Sequence, residues 1–244
     1  MTSTNSQPDR TPAAGRPASS KSEETRARIL GSALASFRTR GFHQTTMREV
    51  AVDAGVAVGA AYYYFDSKDA LVMAFYERAQ QEMEPLLSEA LSSHDALERR
   101  LRALLEVKFD YFRANRSLLG ALSAHVDPQH PLSPFSEETR EIRDKDIWFF
   151  ARALEGTSMR VPADLKARLP RILWMYQMGL LLFWMYDRSA EQARTRQLVD
   201  KSLAIVVSLI QFSGFPLMRP VRKRVVDLLQ TVFGDEPVPA RIEA

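Results

Sequence analysis

The chain has no cysteine in 244 residues, which removes disulfides, thiolate nucleophiles and cysteine-ligated metals together. That fits a reducing cytoplasm, the expected location. Glycine is scarce, at ten, and none of it forms a phosphate-cradling loop; GxSxG and HExxH are also missing, so no catalytic set and no cofactor site is expected. Neither sign of charge dominates: 33 basic against 30 acidic residues leave +3. That excess is compatible with nucleic acid but too small for a non-specific, architectural DNA-coating protein. No apolar run is long enough to span a bilayer. The longest, "ILWMYQMGLLLFWMY" over 172–186, includes Gln177 and falls short of the roughly 20 residues required, so it reads as a buried helix with no membrane partner. The N-terminus lacks the apolar segment of a signal peptide. No Asn-Gly hairpin signal and no internal repeat occurs.

Apolar residues make up 45% and charged residues 26%, an ordinary composition for a packed core. Residues 1–19 are Ser/Thr/Pro/Ala-rich and carry Arg10 and Arg16, which predicts a disordered basic tail. Helical signals follow. Ser20 and Glu23 form a capping box ahead of a stripe made by Ile29, Leu30, Ala33, Leu34 and Phe37, with Gly41 at the C-cap. Thr46 and Glu49 repeat the box, and Ser67 caps a long helix over 68–91 on which Leu71, Phe75, Ala79 and Met83 recur. Further helices are predicted near 95–114, 116–125, 134–155 (opened by Ser133-Pro134), 163–187, 191–213 and 220–233. The fold class is all-α: a helix-turn-helix domain over 20–66, a larger helical domain over 67–234 and a tail over 235–244.

One stretch does not fit a simple core. "VAVGAAYYYFDSK" over 56–68 places three tyrosines side by side, and a helix turning 100° per residue cannot bury all three. Val58, Ala61 and Phe65 fall on one face and can pack on Val50 and Ala51. Gly59, Ala60, Tyr62, Tyr63 and Tyr64 are left outward or lateral. Small residues permit close backbone approach, and phenols donate to phosphate oxygens or touch thymine methyls. The spacing, two short helices joined by "AGVA", is that of a helix-turn-helix. On spacing alone, a tyrosine-rich surface helix in another kind of helical protein remains open.

"TTMREVAVDAGVAVGAAYYYFDSKDAL" also resembles the DNA-binding signature of the TetR family of bacterial transcriptional regulators, roughly TT-x-x-x-IA-x-x-AGVS-x-x-x-x-YYHF-x-x-K-x-x-L. Thr45, Thr46, Ala51, Ala54, Gly55, Val56, Tyr62, Tyr63, Phe65, Lys68 and Leu71 fall in register. The resemblance implies that Arg48 reaches a base edge or phosphate. It implies that Val58, Gly59, Ala60 and Tyr63 approach bases, and that Tyr62, Tyr64 and Lys68 hold phosphates. Thr46 caps its helix and bonds a phosphate as well. The chain departs from the pattern at Ala57, where the family has a capping serine, and at Tyr64, where it has histidine. Ala60 and Ala61 stand where bulkier residues are common, which implies sparse base readout. "LLLFWMYDRSAEQARTRQLVDKSL" is similar to the C-terminal half of one subgroup of the same family.

The resemblance further implies a homodimer on a pseudo-palindromic double-stranded operator, released by a small effector, with repression as the default. The residues agree in part. The 172–186 helix is apolar nearly all round, and 198–210 adds a second stripe, so two helices from each subunit would form a four-helix interface. Phe75, Met83, Phe109, Phe112, Trp148 and Trp174 are core residues or the lining of a cavity for an apolar or aromatic effector. Gln177 is either a ligand contact or an interhelical hydrogen bond. His125, Asp127 and His130 lie close in sequence, but a proline-broken loop without a fourth ligand argues against a metal. The competing class is a helical carrier or enzyme with a vestigial helix-turn-helix.

Overall fold

The computed structural model describes residues 18–123 and 125–233, so the expected tails lie outside the described residues over 1–17 and 235–244. Every regular element among the described residues is helical. The first helix, α1, runs Ala18–Thr39. Ser20 is therefore inside a helix rather than at its N-cap, a correction to the predicted box: no proline or glycine interrupts 18–30, and the turn forms before Ser20 is reached. Gly41 follows at φ +92°, a left-handed conformation in which its N–H returns to Phe37 O at 3.1 Å and stops the helix. Next come α2, Met47–Asp53, and α3, Val58–Tyr64, joined through Gly55 at φ +65°. Helix α4, Lys68–Ser92, is capped by Ser67 Oγ, which accepts from Ala70 N at 3.1 Å. Pro85 within α4 removes one backbone donor from its ladder.

The remaining helices are α5, Leu97–Phe112; α6, Arg116–Leu122; α7, Arg140–Glu155; α8, Ala163–Lys166; α9, Leu169–Tyr186; α10, Ala193–Phe212; and α11, Arg219–Phe233. The helix expected from Pro134 starts at Arg140 instead. The buried hydroxyls of Ser133, Ser136 and Thr139 explain this. Thr139 Oγ1 donates to Ser133 O at 2.6 Å and Ser136 Oγ to Pro131 O at 3.1 Å, so these side chains stabilise a turn in place of the helical ladder. Glu137 and Glu138 consequently precede the helix.

Two cores organise the chain. The first gathers Ile29, Phe37, Val50, Ala61, Phe65 and Phe75 from α1 to α4, and continues onto Leu118 and Leu122 of α6 and onto Leu132. The second packs the C-terminal part of α4 with α5, α7, α9 and α10 around Leu104, Phe150, Leu173 and Leu203. Helix α4 belongs to both. Each fully buried Leu or Phe contributes about 1.5–3 kcal/mol relative to its exposed state. Arg100, only 7% exposed, closes the far end of the second core: it donates to Leu91 O (2.5 Å), His94 O (2.9 Å), Arg152 O (2.8 Å) and Ala153 O (3.0 Å), capping the C-termini of α4 and α7 together. Gly156 is the close approach that admits it, since a Cβ there would collide with the Arg100 guanidinium.

Candidate functional site

The turn between α2 and α3 is held from several directions. Thr46 and Glu49 make a reciprocal capping box: Thr46 Oγ1 accepts from Glu49 N at 3.3 Å, and Glu49 Oε2 accepts from Thr46 N at 2.8 Å. The Thr46 N–H, then its hydroxyl, hold the Glu49 carboxyl below its ordinary range. Asp53 Oδ2 ties α2 to α1, accepting from Arg40 Nη2 (2.5 Å) and Ser36 Oγ (2.8 Å). Those two hydrogen bonds, Arg40 first, lower its pKa. At the start of α3, Ala57 offers no side-chain cap. Ala61 and Phe65 are sealed in the core, with Arg26 above the Phe65 ring at 4.9 Å.

The opposite face of α3 is bare. Val58 is 36% exposed, so it does not join Ala61 and Phe65 against α2, which corrects the expected packing. Gly59 has open space where a Cβ would stand. Tyr62 is 51% exposed and Tyr63 83%. Ala60 is half-buried beside them, and Arg48 on α2 is exposed with no partner among the described residues. Two of the predicted phosphate ligands are engaged elsewhere. Tyr64 packs on the first core, and its hydroxyl sits 3.2 Å from Ser22 Oγ of α1. The Lys68 ammonium donates to Phe42 O at 2.9 Å and His43 O at 3.4 Å and lies 4.6 Å above the Phe42 ring. Lys68 therefore clamps α4 to the loop after α1. Helix starts and tyrosine crowding were readable from spacing; which cation would find carbonyls was not, because Phe42 and Lys68 are distant in sequence.

A cavity of about 360 Å³ opens between α4, α5, α6, α7, α9 and the 125–139 loop. Of the expected effector residues, Met83, Phe112, Trp174 and Gln177 line it. Phe75, Phe109 and Trp148 do not: Phe75 is sealed in the first core, Phe109 packs on Trp184 at 5.4 Å, and Trp148 packs on Phe149 at 5.0 Å. Sequence reading missed Tyr76, Gln80, Lys108 and Asp146 in this wall. Lys108 is 2% exposed and paired with Asp146, whose other oxygen accepts from Gln177 Nε2 at 2.8 Å. The available signal was polar residues on apolar stripes: Gln80 follows Tyr76 by one helical turn, and Lys108 follows Leu104 likewise. Burial pushes the Tyr76 phenol above its ordinary pKa, so it stays neutral. In the loop, the His125 and His130 rings stack at 3.9 Å, and His130 Nδ1 accepts from Leu132 N. No group of three or more candidate ligands is placed to hold a metal among the described residues.

Residues 29–75 match the family model for bacterial regulatory proteins of the tetR family, and residues 100–231 match the tetracyclin repressor-like C-terminal domain. YdgC, an uncharacterized HTH-type transcriptional regulator of Bacillus subtilis (strain 168), is 31% identical over 103 residues, covering 41% of this chain and 53% of its own length; the chain thus spans about half of that relative. TtgR, an HTH-type transcriptional regulator of Pseudomonas putida, is 26% identical over 178 residues, 68% of this chain and 82% of its own length. The crystal structure of the Bacillus subtilis transcriptional regulator FadR in complex with stearoyl-CoA shares the fold, with a TM-score of 0.57 at 16% identity, covering 75% of this chain and 97% of that one. Because the C-terminal model alone matches more than half of the chain, the protein belongs to the TetR family and is a helix-turn-helix transcriptional regulator.

Proposed function

We propose that the protein is a ligand-released repressor that binds a pseudo-palindromic operator as a homodimer in the cytoplasm. The domain reading is 20–66 for DNA and 67–234 for effector and dimerisation. The observation that carries it is α4. Its first residue, Lys68, clamps the DNA-binding unit through Phe42 and His43, while Tyr76, Gln80 and Met83, about two to four turns on, line the cavity. A ligand that packs against these side chains tilts α4 and, with it, α3. Half-sites recur at a fixed groove spacing of about 34–36 Å per turn, so a small tilt in both subunits moves one recognition helix out of register. Operator and effector must then weaken each other's binding by the same factor, about 1–3 kcal/mol.

On the DNA side, Val58, Gly59 and Tyr63 approach bases, with Ala60 at their margin. Tyr62 and Arg48 hold phosphate or base edges, Thr46 holds the turn, and Tyr64 and Lys68 position α3 and α4 from behind. On the dimer side, Phe183 and Tyr186 of α9 and Ile205, Leu209 and Phe212 of α10 are exposed, at 42–61%. Adjacent apolar helices of this kind call for a partner face, and a second copy supplies one. The test is a gel shift on DNA flanking the protein's own gene, across a salt series. Binding should weaken steeply with salt, by about 0.9 log units per log of salt for each phosphate neutralised. Salt-insensitive binding, or none to any flanking fragment, overturns the reading.

A further inference from the structure

The helix-turn-helix unit is short of the groups that read base edges. Over 46–68 there is no asparagine or glutamine, so no side chain there can make the paired hydrogen bonds that pick out adenine. The carboxylates that could accept from cytosine are committed, Glu49 to the Thr46 box and Asp53 to Arg40 and Ser36. Asp66 lies beyond α3 and accepts from Ser67 Oγ at 2.9 Å. Of the two cations, Lys68 is bonded to Phe42 O and His43 O, which leaves Arg48 of α2 as the one group of this unit able to hold guanine bidentately. Helix α3 itself, VGAAYYY, offers methyls, bare backbone and phenols. The Tyr64 hydroxyl is turned to Ser22. Tyr62 and Tyr63 are exposed, but a lone hydroxyl both donates and accepts, and every base pair presents an acceptor in the major groove, so it discriminates poorly.

What remains on α3 is apolar, and the apolar group on a base edge in the major groove is the C5 methyl of thymine. Val58 is exposed at the start of α3, with the exposed Gly59 beside it and Tyr62 one turn on. A side chain as short as valine reaches a base only if the helix backbone comes close. Gly59 permits that: nothing among the described residues lies within 4 Å of a Cβ built on it, and it carries no side chain of its own. We infer that α3 reads its half-site chiefly through thymine methyl groups, one of them seated between Val58 and the Gly59 backbone. The inference rests on α3 being the helix that enters the major groove. The methyl stands on one strand only, so this readout separates T·A from A·T, which recognition of a narrow A·T-rich minor groove does not.

Deoxyuridine differs from thymidine only by that methyl, so the wild-type protein is sufficient for the test. An operator is selected from a random duplex pool with the full-length protein. Fluorescence anisotropy at fixed salt then compares it with duplexes carrying dU for dT at one position in each half-site. A contacted methyl is worth about fourfold, so the symmetric pair of replacements should weaken binding about fifteenfold at the seated position and leave it unchanged outside the contacted bases. Val58→Ala, at an exposed position, should shrink that penalty to about fourfold or less. A selected half-site without thymine, a site at which no dU replacement weakens binding, or a penalty unchanged in Val58→Ala overturns the inference. Selection of an asymmetric but methyl-sensitive site overturns the homodimer on a pseudo-palindrome and leaves this inference standing; a pseudo-palindrome indifferent to dU does the reverse. Enrichment of no sequence overturns both.

Discussion

Arg100 shows how much a single side chain settles that its neighbours in sequence do not announce. "LERRLRALL" reads as an amphipathic helix with arginines on its wet face, yet one of them is buried and caps two other helices. Its partners are as far as 53 residues away along the chain, so no local pattern encodes the contact. Burial lowers its pKa from the ordinary guanidinium value, but not into a range where it loses charge. Arg100→Met should destabilise the protein by about 3 kcal/mol, because several buried carbonyls lose their donor at once. Arg78→Met, which breaks only an exposed pair with Glu82, should cost about 0.5 kcal/mol or less. Urea denaturation of the two variants measures the contrast; equal costs would mean that water replaces Arg100. The local features were legible: the Thr46–Glu49 box, the Ser67 cap, the bare N-terminus of α3 at Ala57 and the left-handed Gly41 all follow from residue chemistry within four positions. Tyr64 and Lys68 were legible as polar residues near the motif but not in their partners, Ser22 and Phe42, which only tertiary packing supplies.

Among elements, the sharp joint between α9 and α10 is fixed by one carboxylate. Asp187, 6% exposed, accepts from the N–H and hydroxyl of both Ser189 and Thr195. Burial alone would raise its pKa, but these four bonds outweigh burial and hold it well below the ordinary 3.8. A carboxyl depressed on folding contributes stability above its unfolded pKa and loses it as pH falls through its folded value. Asp187→Asn should therefore lower the melting temperature at neutral pH. The gap to wild type should narrow as pH drops below 3.8, where the unfolded wild-type chain begins to take up a proton that the folded carboxyl still refuses, while the asparagine does not change. A gap constant across that window would remove Asp187 from the acid response. Helix positions in this domain were readable from 3.6-residue periodicity. The late start of α7 was not, because Ser133-Pro134 carries a helix-start signature while Ser136 and Thr139 use their hydroxyls to hold a turn.

For the whole molecule, the apolar surface of α9 and α10 makes the oligomeric state testable by itself. Light scattering should report twice the 27.7 kDa chain mass at micromolar concentration. Leu209→Glu, on the 61% exposed face of α10, should shift the mass to the monomer with helicity kept. A wild-type monomer removes the dimer from the account. DNA recognition then depends on a bare recognition helix, and Gly59 tests that most directly. Nothing among the described residues lies within 4 Å of a Cβ added there, and alanine stabilises an exposed helix position by about 1 kcal/mol over glycine. Fluorescence anisotropy of a labelled flanking duplex, titrated with wild type and Gly59→Ala, separates a structural glycine from one that lets the backbone approach DNA. If the backbone at Gly59 approaches DNA, the melting temperature should be unchanged or raised and DNA affinity about tenfold weaker, equivalent to about 1.4 kcal/mol. Affinity equal to or tighter than wild type at the same salt would mean that α3 does not meet DNA through this face.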